Sequence, residues 1–385
     1  MNDPVYLDWN ATAPVCEEAL AEMLDTLRSA WANPSSTHAP GQAARRVLAD
    51  ARARVAAALG AQPAELVFTS GATESNHQAV LGALAARPGR KRLVLSAVEH
   101  PGLLALAQRL RAQGTPVDLI PVDREGRLDL VAAQALISDE TALVSVMGAN
   151  NETGVCLPVG EVSELARARG AWLHVDATQC LGKRPLRFAA SGADLMSLSA
   201  HKIGGPKGVG ALLVKKGLVL PPLLSGRQER RLRGGTENLP GIAGFAAAAG
   251  RMAATLAADM ARQQALRDRL ERGLAAALPG TRVLGATAER LCNTTCLVFG
   301  ALDAEPVLAK LERAGVVASS GAACSAGGTQ PSHVLLAMGF SERGARRGVR
   351  FSLGRDTRDE DIDHALAAAT AAIAPLLAQA QPQPA

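Results

Sequence analysis

From residue 65 to residue 214, short apolar runs alternate with stretches of helical periodicity. The apolar runs predict strands at 65–69, 92–96, 117–120, 142–146, 171–175, 194–198 and 209–214. Between them, apolar residues recur every three or four positions and predict helices at about 73–86, 101–112, 128–138 and 160–169. This alternation is typical of an α/β fold in which helices cover both faces of a mostly parallel, seven-stranded sheet.

The pattern changes after residue 239. An alanine-rich helix at about 239–278 precedes a strand at 294–299, a helix at 304–314, a strand at 348–353 and a helix at about 361–378. Near the start, residues 5–12 predict a short strand that runs into a polar turn, and 16–31 and 41–59 predict helices. We therefore predict a large domain at 13–255, a smaller α+β domain formed by 1–12 with 256–378, and a flexible tail at 379–385.

Composition excludes several classes of protein. The 385 residues are 48% hydrophobic and 20% charged, as in folded proteins. Aromatic residues make up only 3% and the net charge is +5, so we expect no direct binding of nucleic acid, which uses aromatic stacking platforms. No apolar run approaches the roughly 20 residues of a membrane helix, so we expect no membrane partner.

The chain start and the cysteines indicate a compartment. The first residues lack the basic and apolar regions of a signal peptide. The six cysteines are scattered along the chain, which is typical of a reduced, cytoplasmic protein. Cys292 and Cys296 have no second ligand pair, so we interpret them as strand or loop residues instead of metal ligands.

The ends of two predicted strands carry residues that suit one cofactor. The run from Leu195 to Leu198 leads to Ser199, His201 and Lys202, and glycines follow. A lysine just past a strand end suits a Schiff base with an aldehyde cofactor, although an isolated motif of this kind is more often an ordinary surface turn. Asp176 ends another strand 26 residues upstream. Pyridoxal phosphate needs a carboxylate at its ring nitrogen and a lysine at its aldehyde, and Asp176 and Lys202 supply that pair.

These two stretches carry a family resemblance. His-Val-Asp-Ala-Thr-Gln at 174–179 and Ser-Ala-His-Lys-Ile-Gly-Gly-Pro-Lys-Gly at 199–208 resemble the class V aminotransferases, and among them the cysteine desulfurases of the nitrogen-fixation type. The resemblance implies the fold type I of pyridoxal-phosphate-dependent transferases, a homodimer, and L-cysteine as substrate. It also implies that Trp9 replaces an asparagine at an entrance-loop position.

The resemblance implies a site for the cofactor phosphate. Residues 70–73, Ser-Gly-Ala-Thr, precede a predicted helix, whose first backbone N–H groups form an anion cradle. By itself such a stretch is an ordinary helix cap. In the family, the corresponding residues hold the phosphate: here Ala72, Thr73, Ser199, His201 and, from the other subunit, Thr236.

Four further roles follow from the resemblance. His100 stacks on the cofactor ring and transfers protons, since imidazole titrates near neutrality. Asn151 contacts the cofactor or the substrate carboxylate, and Gln179 donates to the phenolic oxygen of the ring. Arg350 binds the substrate carboxylate, for which a planar guanidinium is well suited.

Cys324 lies between two glycine-containing stretches of small residues, a setting that favours a reactive thiol over a buried structural one. Ser-Ser-Gly-Ala-Ala-Cys-Ser at 319–325 resembles the family's Ser-Ser-Gly-Ser-Ala-Cys-Thr, which carries the nucleophile. We expect Lys202 to remove the α-proton of cysteine and Cys324 to take its sulfur as a persulfide, leaving L-alanine.

The predicted acceptors are an iron–sulfur scaffold or a tRNA-thiolation protein. We expect no intrinsic metal, although Cys324 could ligate a transient iron–sulfur cluster together with a scaffold. The alternatives are a selenocysteine lyase, another class V enzyme, and a sulfur carrier that contains pyridoxal phosphate without turnover.

Three other polar features have more ordinary interpretations. His38 and His174 are each read as structural, since a lone histidine in a turn or a strand is more often so. The basic stretch 227–233 could contact RNA, but the modest net charge favours a solvated loop at the cofactor edge.

Overall fold

The structure is a computed structural model that describes residues 4–321 and 330–380. Its strands are β1 (Val5–Tyr6), β2 (Leu66–Thr69), β3 (Arg92–Ser96), β4 (Val117–Ile120), β5 (Thr141–Met147), β6 (Trp172–Asp176), β7 (Leu195–Ser199), β8 (Gly210–Val214), β9 (Thr281–Val283), β10 (Thr294–Phe299), β11 (Val316–Val317), β12 (Ser319–Ser320) and β13 (Val349–Ser352). Its α-helices are α1 (Glu17–Ser29), α2 (Ala39–Ala58), α3 (Ala72–Ala86), α4 (Pro101–Ala112), α5 (Leu130–Leu136), α6 (Val159–Ala168), α7 (Phe188–Ser191), α8 (Leu239–Ala277), α9 (Ala304–Arg313), α10 (His333–Ala337) and α11 (Asp359–Ala380).

Seven strands form the large sheet, in the order β2-β8-β7-β6-β5-β3-β4. The five strands β7, β6, β5, β3 and β4 are parallel to one another, whereas β8 is antiparallel to both β2 and β7. The predicted α/β class with a mostly parallel seven-stranded sheet is confirmed. Met147 at the end of β5 is in register with Asp176 at the end of β6, so polar residues that follow these strands meet at one edge.

Both faces of this sheet are buried, which explains its continuous apolar runs. Leu93 and Leu95 of β3 pack in one core with residues of α3 and α4, while Val94 between them points to the core on the other face. Successive strand residues alternate between faces, so each apolar run supplies both cores.

A second sheet, in the order β12-β13-β10-β9, packs with α9 and α11 around a separate core. The N-terminal segment joins this part, because Val5 of β1 pairs with Val316 of β11. Helix α8 connects the two parts: Phe245 is buried in the large core and Leu270 in the second core. The predicted domain boundaries stay a prediction, and the predicted tail lies mostly outside the described residues.

Two helices in the described part, Leu239–Ala277 and Asp359–Gln379, are long and apolar enough to cross a membrane by length and composition alone. The expectation that no apolar run approaches this length was therefore too strict. Ile362 and Ile373 of α11 are buried in the second core. Because core helices pass the same test, the observation is weak evidence for a membrane span.

The Trp9 side chain is buried within the turn that follows β1. Only the first two residues of the predicted strand at 5–12 form a strand, and the chain then turns. The Trp9 side chain is 7% exposed, and its Nε1 donates to the Tyr6 carbonyl oxygen at 2.9 Å. The ring lies directly against Gly354, where an added Cβ would be 1.8 Å from a ring atom. Residue 9 therefore joins the N-terminal segment to the chain after β13.

We predict that Gly354→Ala lowers the free energy of unfolding by about 1–3 kcal/mol, the usual cost of overpacking a core. Gly250→Ala is the matched control: Gly250 is exposed within α8, and a Cβ there meets no atom within 4 Å. The control should raise the free energy of unfolding by about 0.5–1 kcal/mol through helix propensity. Urea unfolding of both variants measures the difference, and equal effects would contradict the contact with Trp9.

Candidate active site

A cavity of about 580 Å³ opens at the edge of the large sheet where β5, β6 and β7 end. It is lined by the following residues predicted from the sequence: Ala72, Thr73, His100, Asn151, Asp176, Gln179, Ser199, His201 and Lys202. Thr236 and Arg350 are not among its lining residues. Cys324 lies outside the described residues. One cavity thus collects most of the predicted site.

Asp176 places a buried carboxylate in this cavity at the end of β6. Asn76 Nδ2 donates to its Oδ2 at 2.7 Å, and the Thr178 backbone N–H donates to its Oδ1 at 3.0 Å. Both bonds fix the direction in which the carboxylate points. Asn76 comes from α3, one helical turn after Thr73, so the helix that begins the anion cradle also orients the acid.

Lys202 follows β7 in a short 3₁₀ turn, Ala200–Lys202. Its Nζ donates to the carbonyl oxygens of Asn10 at 2.5 Å and Ala11 at 2.8 Å. The N-terminal segment therefore passes over the lysine and holds it at the cavity wall.

His100 is the N-cap residue of α4, and its Nδ1 accepts the Gly102 backbone N–H at 3.1 Å. A neutral ring with an accepting Nδ1 carries its proton on Nε2. Burial lowers the pKa of His100, and the charges of Lys202 and His333 lower it further. The charge of Asp176 acts in the opposite direction but does not cancel the fall. The ring is therefore a neutral donor through Nε2.

The anion cradle is present at the start of α3. Gly71 is the N-cap residue, and Ala72 and Thr73 begin the helix. Ser199 lies close by, since a Cβ on Gly71 would be 3.8 Å from its Oγ. Burial lowers the pKa of His201 to about 4, with help from neighbouring lysines, so this imidazole is neutral at pH 7. Backbone N–H groups at a helix start and neutral donors suit a phosphate.

Arg350 lies behind the cavity wall and is 2% exposed. Its Nη2 pairs with Asp8 Oδ1 at 2.6 Å, and its Nη1 donates to the Asn151 carbonyl oxygen at 2.9 Å. The guanidinium therefore fixes the backbone of Asn151, whose side chain lines the cavity. A substrate carboxylate that bound Arg350 would compete with Asp8 for this guanidinium.

Glu152, next to Asn151, contacts both ends of the stretch that contains Cys324. Ser332 Oγ donates to Glu152 Oε2 at 2.5 Å, and a Cβ on Gly321 would be 2.0 Å from the same oxygen. Burial raises the pKa of Glu152, although this hydrogen bond and the charges of His333 and Arg350 act to lower it. One turn thus reaches the cavity through Asn151 and the flanks of residues 322–329 through Glu152.

The thiols in the described residues differ from what a nucleophile requires. Burial raises the pKa of Cys156 to about 11, and that of Cys180 and Cys296 to about 12. Burial also raises the pKa of Cys16 and Cys292. These five thiols are protonated at neutral pH, and Cys296 lies in β10 as predicted.

The basic stretch 227–233 uses several of its charges within the chain. Glu229 is buried, its Oε2 accepts from Arg52 Nη1 at 2.7 Å, and the same atom accepts the Phe68 N–H at 2.8 Å. Arg233 Nε donates to Glu74 Oε1 at 2.9 Å beside the anion cradle. These contacts favour a loop at the cofactor edge over an RNA-binding patch.

The two histidines interpreted as structural have structural partners. His38 caps α2 by accepting the Gly41 N–H on Nδ1 at 3.2 Å. His174 is fully buried in β6, where its ring nitrogens bond Ser145 Oγ and Ser197 Oγ, each at 2.8 Å.

The residues present fit pyridoxal phosphate. The cavity offers a carboxylate for the ring nitrogen, a lysine for the aldehyde and a helix start for the phosphate. Three buried polar atoms on its lining residues, Asn76 Oδ1, Asn151 Oδ1 and Thr178 Oγ1, have no hydrogen-bond partner within the described part of the chain. Buried polar atoms normally have one, and a polar ligand supplies it.

Sequence reasoning missed three side chains that hold this site: Asn10, Asn76 and Lys183. Asn76 is three residues after Thr73 on α3, and Lys183 is four residues after Gln179, so their spacing places them beside predicted residues. Asn10 gave no such signal, because its contacts come from distant segments.

Comparisons with a protein family, with relatives and with solved structures all point to the family that the sequence resembles. The class V aminotransferase family matches residues 5–365 of the chain. A cysteine desulfurase of Cereibacter sphaeroides is 47% identical over 365 residues, which cover 94% of either protein. A solved NifS-like protein superposes with a TM-score of 0.90 at 33% identity, over 96% of this chain and 99% of its own. SspA, solved in complex with cysteine, superposes with a TM-score of 0.80 at 31% identity, over 90% of this chain and 98% of its own.

Glu99, beside His100, generates a prediction about stability. Its buried Oε1 accepts from Ser96 Oγ and from the Met147 N–H. Burial raises its pKa from 4.5 to about 8 against the bond from Ser96, and the charge of Asp176 adds to the rise. The folded protein therefore binds one more proton than the unfolded chain between these pH values, and this group's contribution to stability falls as pH rises from 4.5 to 8.

We predict that Glu99→Gln removes this dependence while keeping both accepted bonds on Oε1. From pH 5 to pH 8, the free energy of unfolding of the wild type should fall relative to the variant by more than about 1.4 kcal/mol. Exposed Glu164→Gln is the control and should track the wild type. A constant difference across this range, measured by urea unfolding, would show that Glu99 is ionised in the folded protein.

Proposed function

This chain belongs to the class V aminotransferase family, and we propose that it is a pyridoxal-phosphate-dependent cysteine desulfurase. It removes the sulfur of L-cysteine, releases L-alanine and holds the sulfur as a persulfide on Cys324. The observation that carries the proposal is one cavity that joins the Asp176 carboxylate, the Lys202 amine and the start of α3. The relatives named as cysteine desulfurases and the SspA structure with cysteine support the substrate.

The chain's residues divide the work around the substrate. When bound, pyridoxal phosphate supplies a protonated ring that accepts the electron pair left at the substrate α-carbon. Asp176, whose carboxylate is oriented by Asn76 and Thr178, would pair with the ring nitrogen of the cofactor. Lys202 Nζ, held by two main-chain carbonyls at the cavity, is the group that would take the α-proton.

Sulfur transfer then needs a thiolate. The Cys324 sulfur, as a thiolate, forms a new S–S bond with the substrate sulfur. The C–S bond of the substrate breaks, and its β-carbon keeps the electron pair and takes up one proton to become the methyl group of alanine. The buried thiols in the described residues keep their protons, which leaves this task to Cys324. His100 carries its proton on Nε2, so it is suited to donate that proton to the carbon that has lost the sulfur.

We also propose that a second copy of the chain completes the enzyme. Leu20, Leu24 and Leu27 lie on one side of α1 and are 43%, 44% and 55% exposed, and Trp31 just beyond is 74% exposed. An exposed apolar stripe of this kind is typical of a covered interface. Thr236 is exposed and does not line the cavity of its own chain. A second copy is therefore a suitable source for the phosphate contact predicted for Thr236. Acceptors of the persulfide are an iron–sulfur scaffold or a tRNA-thiolation protein.

The proposal is tested by product analysis. Purified protein with pyridoxal phosphate and a thiol reductant should convert L-cysteine to equal amounts of alanine and sulfide. Cys324→Ser should bind the cofactor and cysteine yet release almost neither product, because the sulfur acceptor is lost.

Lys202→Ala should lose the borohydride-stable link to the cofactor while staying folded. Mass spectrometry should find the extra sulfur on Cys324 alone after brief exposure to cysteine.

The alternatives give different results. A selenocysteine lyase would release selenide from selenocysteine and leave cysteine unchanged. A sulfur carrier without turnover would accept persulfide on Cys324 and form no alanine. Full desulfurase activity in Cys324→Ser, or extra sulfur on Cys180 or Cys292, would overturn the mechanism.

Arg350 yields a separate prediction, because its bond with Asp8 competes with a substrate carboxylate. If Arg350 binds that carboxylate, Asp8→Asn should lower the KM for cysteine, since the guanidinium no longer has a rival anion. Arg350→Lys should raise the KM about tenfold or more, because an ammonium cannot form the bidentate pair. Steady-state kinetics measure both. A KM that rises equally in both variants would show that Arg350 only supports Asn151.

A further inference from the structure

Lys183 is a buried lysine whose hydrogen bonds within the described part of the chain go to amide oxygens and to no carboxylate. It lies in the turns after β6 and is 5% exposed. Its Nζ donates to Gln179 Oε1 at 2.5 Å and to Asn10 Oδ1 at 2.8 Å. A buried ammonium normally sits beside an anion, so a lysine between two neutral amides is costly and calls for an explanation.

Its two hydrogen bonds decide which way both amides point. Below its pKa Lys183 is an ammonium, which only donates, so the atom of Gln179 that faces it is then the oxygen. The Gln179 nitrogen is then on the other side, where it donates to the Asn10 carbonyl oxygen at 3.1 Å, at the lining of the cavity. Gln179 can present its amide nitrogen to a ligand only in this orientation.

The same contacts connect Lys183 to Lys202. The Asn10 carbonyl oxygen that accepts from Gln179 also accepts from Lys202 Nζ at 2.5 Å. A positive charge at Lys183 therefore acts on Lys202 across a single buried residue and disfavours a second positive charge there.

We infer that Lys183 is a positioning residue: it fixes the Gln179 amide with its nitrogen toward the cavity, and it holds the side chain of Asn10, whose main-chain carbonyl binds Lys202. The inference deepens the proposed function, on which it rests for the identity of the cofactor. A lysine that only filled space would leave the proton equilibria of the bound cofactor unchanged.

Burial and the surrounding charged and titratable groups together lower the pKa of Lys183. Burial lowers the pKa of Lys183 to about 7, and the charge of Lys202 lowers it next. Cys292 and Cys180 oppose this fall, and Arg350 of β13 adds to it. The charge of Lys183 therefore changes near neutral pH, within the range where the enzyme is assayed.

The experiment compares Lys183→Met, Lys183→Gln, Gln179→Met and the double variant Lys183→Met/Gln179→Met. Exposed Lys216→Met is the control. Each protein is loaded with pyridoxal phosphate, and the absorbance of the bound cofactor is titrated with pH without any substrate. In Lys183→Met the midpoint should rise by at least about half a pH unit, because a positive charge near the Lys202 nitrogen is removed. Lys183→Gln should shift in the same direction, and Lys216→Met should not shift.

The double variant tests whether Lys183 acts through Gln179. If it does, adding Lys183→Met to Gln179→Met should shift the midpoint by less than it shifts the wild type. Additive shifts would leave only the direct charge effect on Lys202. Equal midpoints in folded, loaded Lys183→Met and wild type would overturn the inference.

A second measurement needs no cofactor. Because the folded-state pKa of Lys183 is about 7 against 10.5 ordinarily, the unfolded chain binds more protons between these pH values, so stability rises with pH there. The urea midpoint of the apoprotein should rise with pH relative to Lys183→Met, and a flat difference would contradict the buried position. Since neither measurement uses cysteine, failure of the desulfurase assay would leave the inference standing, and the reverse also holds.

Discussion

Asn10 is the point at which the N-terminal segment, the large sheet and the second sheet are joined. The residue is 1% exposed, and a buried amide must pair its polar atoms. Its carbonyl oxygen accepts from Lys202 and Gln179, which hold the edge of the large sheet. Its side chain and backbone N–H reach Lys183, Asn293, Thr294, Asn151 and Ser352. The cavity therefore has a fixed wall only when both parts of the chain are folded together.

This arrangement buries several titratable side chains around the cavity. Lys202 and Asp176 line the cavity, Lys183 contacts the cavity residue Gln179, and Glu99 follows β3. Burial disfavours the charged form of a group, and it is the main reason why the pKa of Lys183 falls to about 7 and that of Glu99 rises to about 8. An anionic cofactor and an anionic substrate suit the lysine side, so binding relieves part of the cost of keeping these groups buried.

The central sheet was predictable because its strands are buried on both faces and read as continuous apolar runs, as in Leu93–Leu95. The same rule fails for short elements. Strands β11 and β12 have two residues each and α10 has five, too few for any period to show. The burial of Trp9 was missed for a related reason: it depends on Gly354, a contact that no local pattern encodes.

The site divides in the same way. Asp176 and Lys202 could be identified from their positions at strand ends, because parallel strands bring their carboxyl ends to one edge. The residues that control them come from far along the chain: Asn10 is 192 positions from Lys202, and Asp8 is 342 positions from Arg350. A motif therefore names the groups that carry the chemistry, whereas the tertiary contacts decide which charge each group holds. For Arg350 this means that a residue assigned by resemblance to the substrate carboxylate already has a carboxylate partner, so a bound substrate would compete with Asp8 for the same guanidinium.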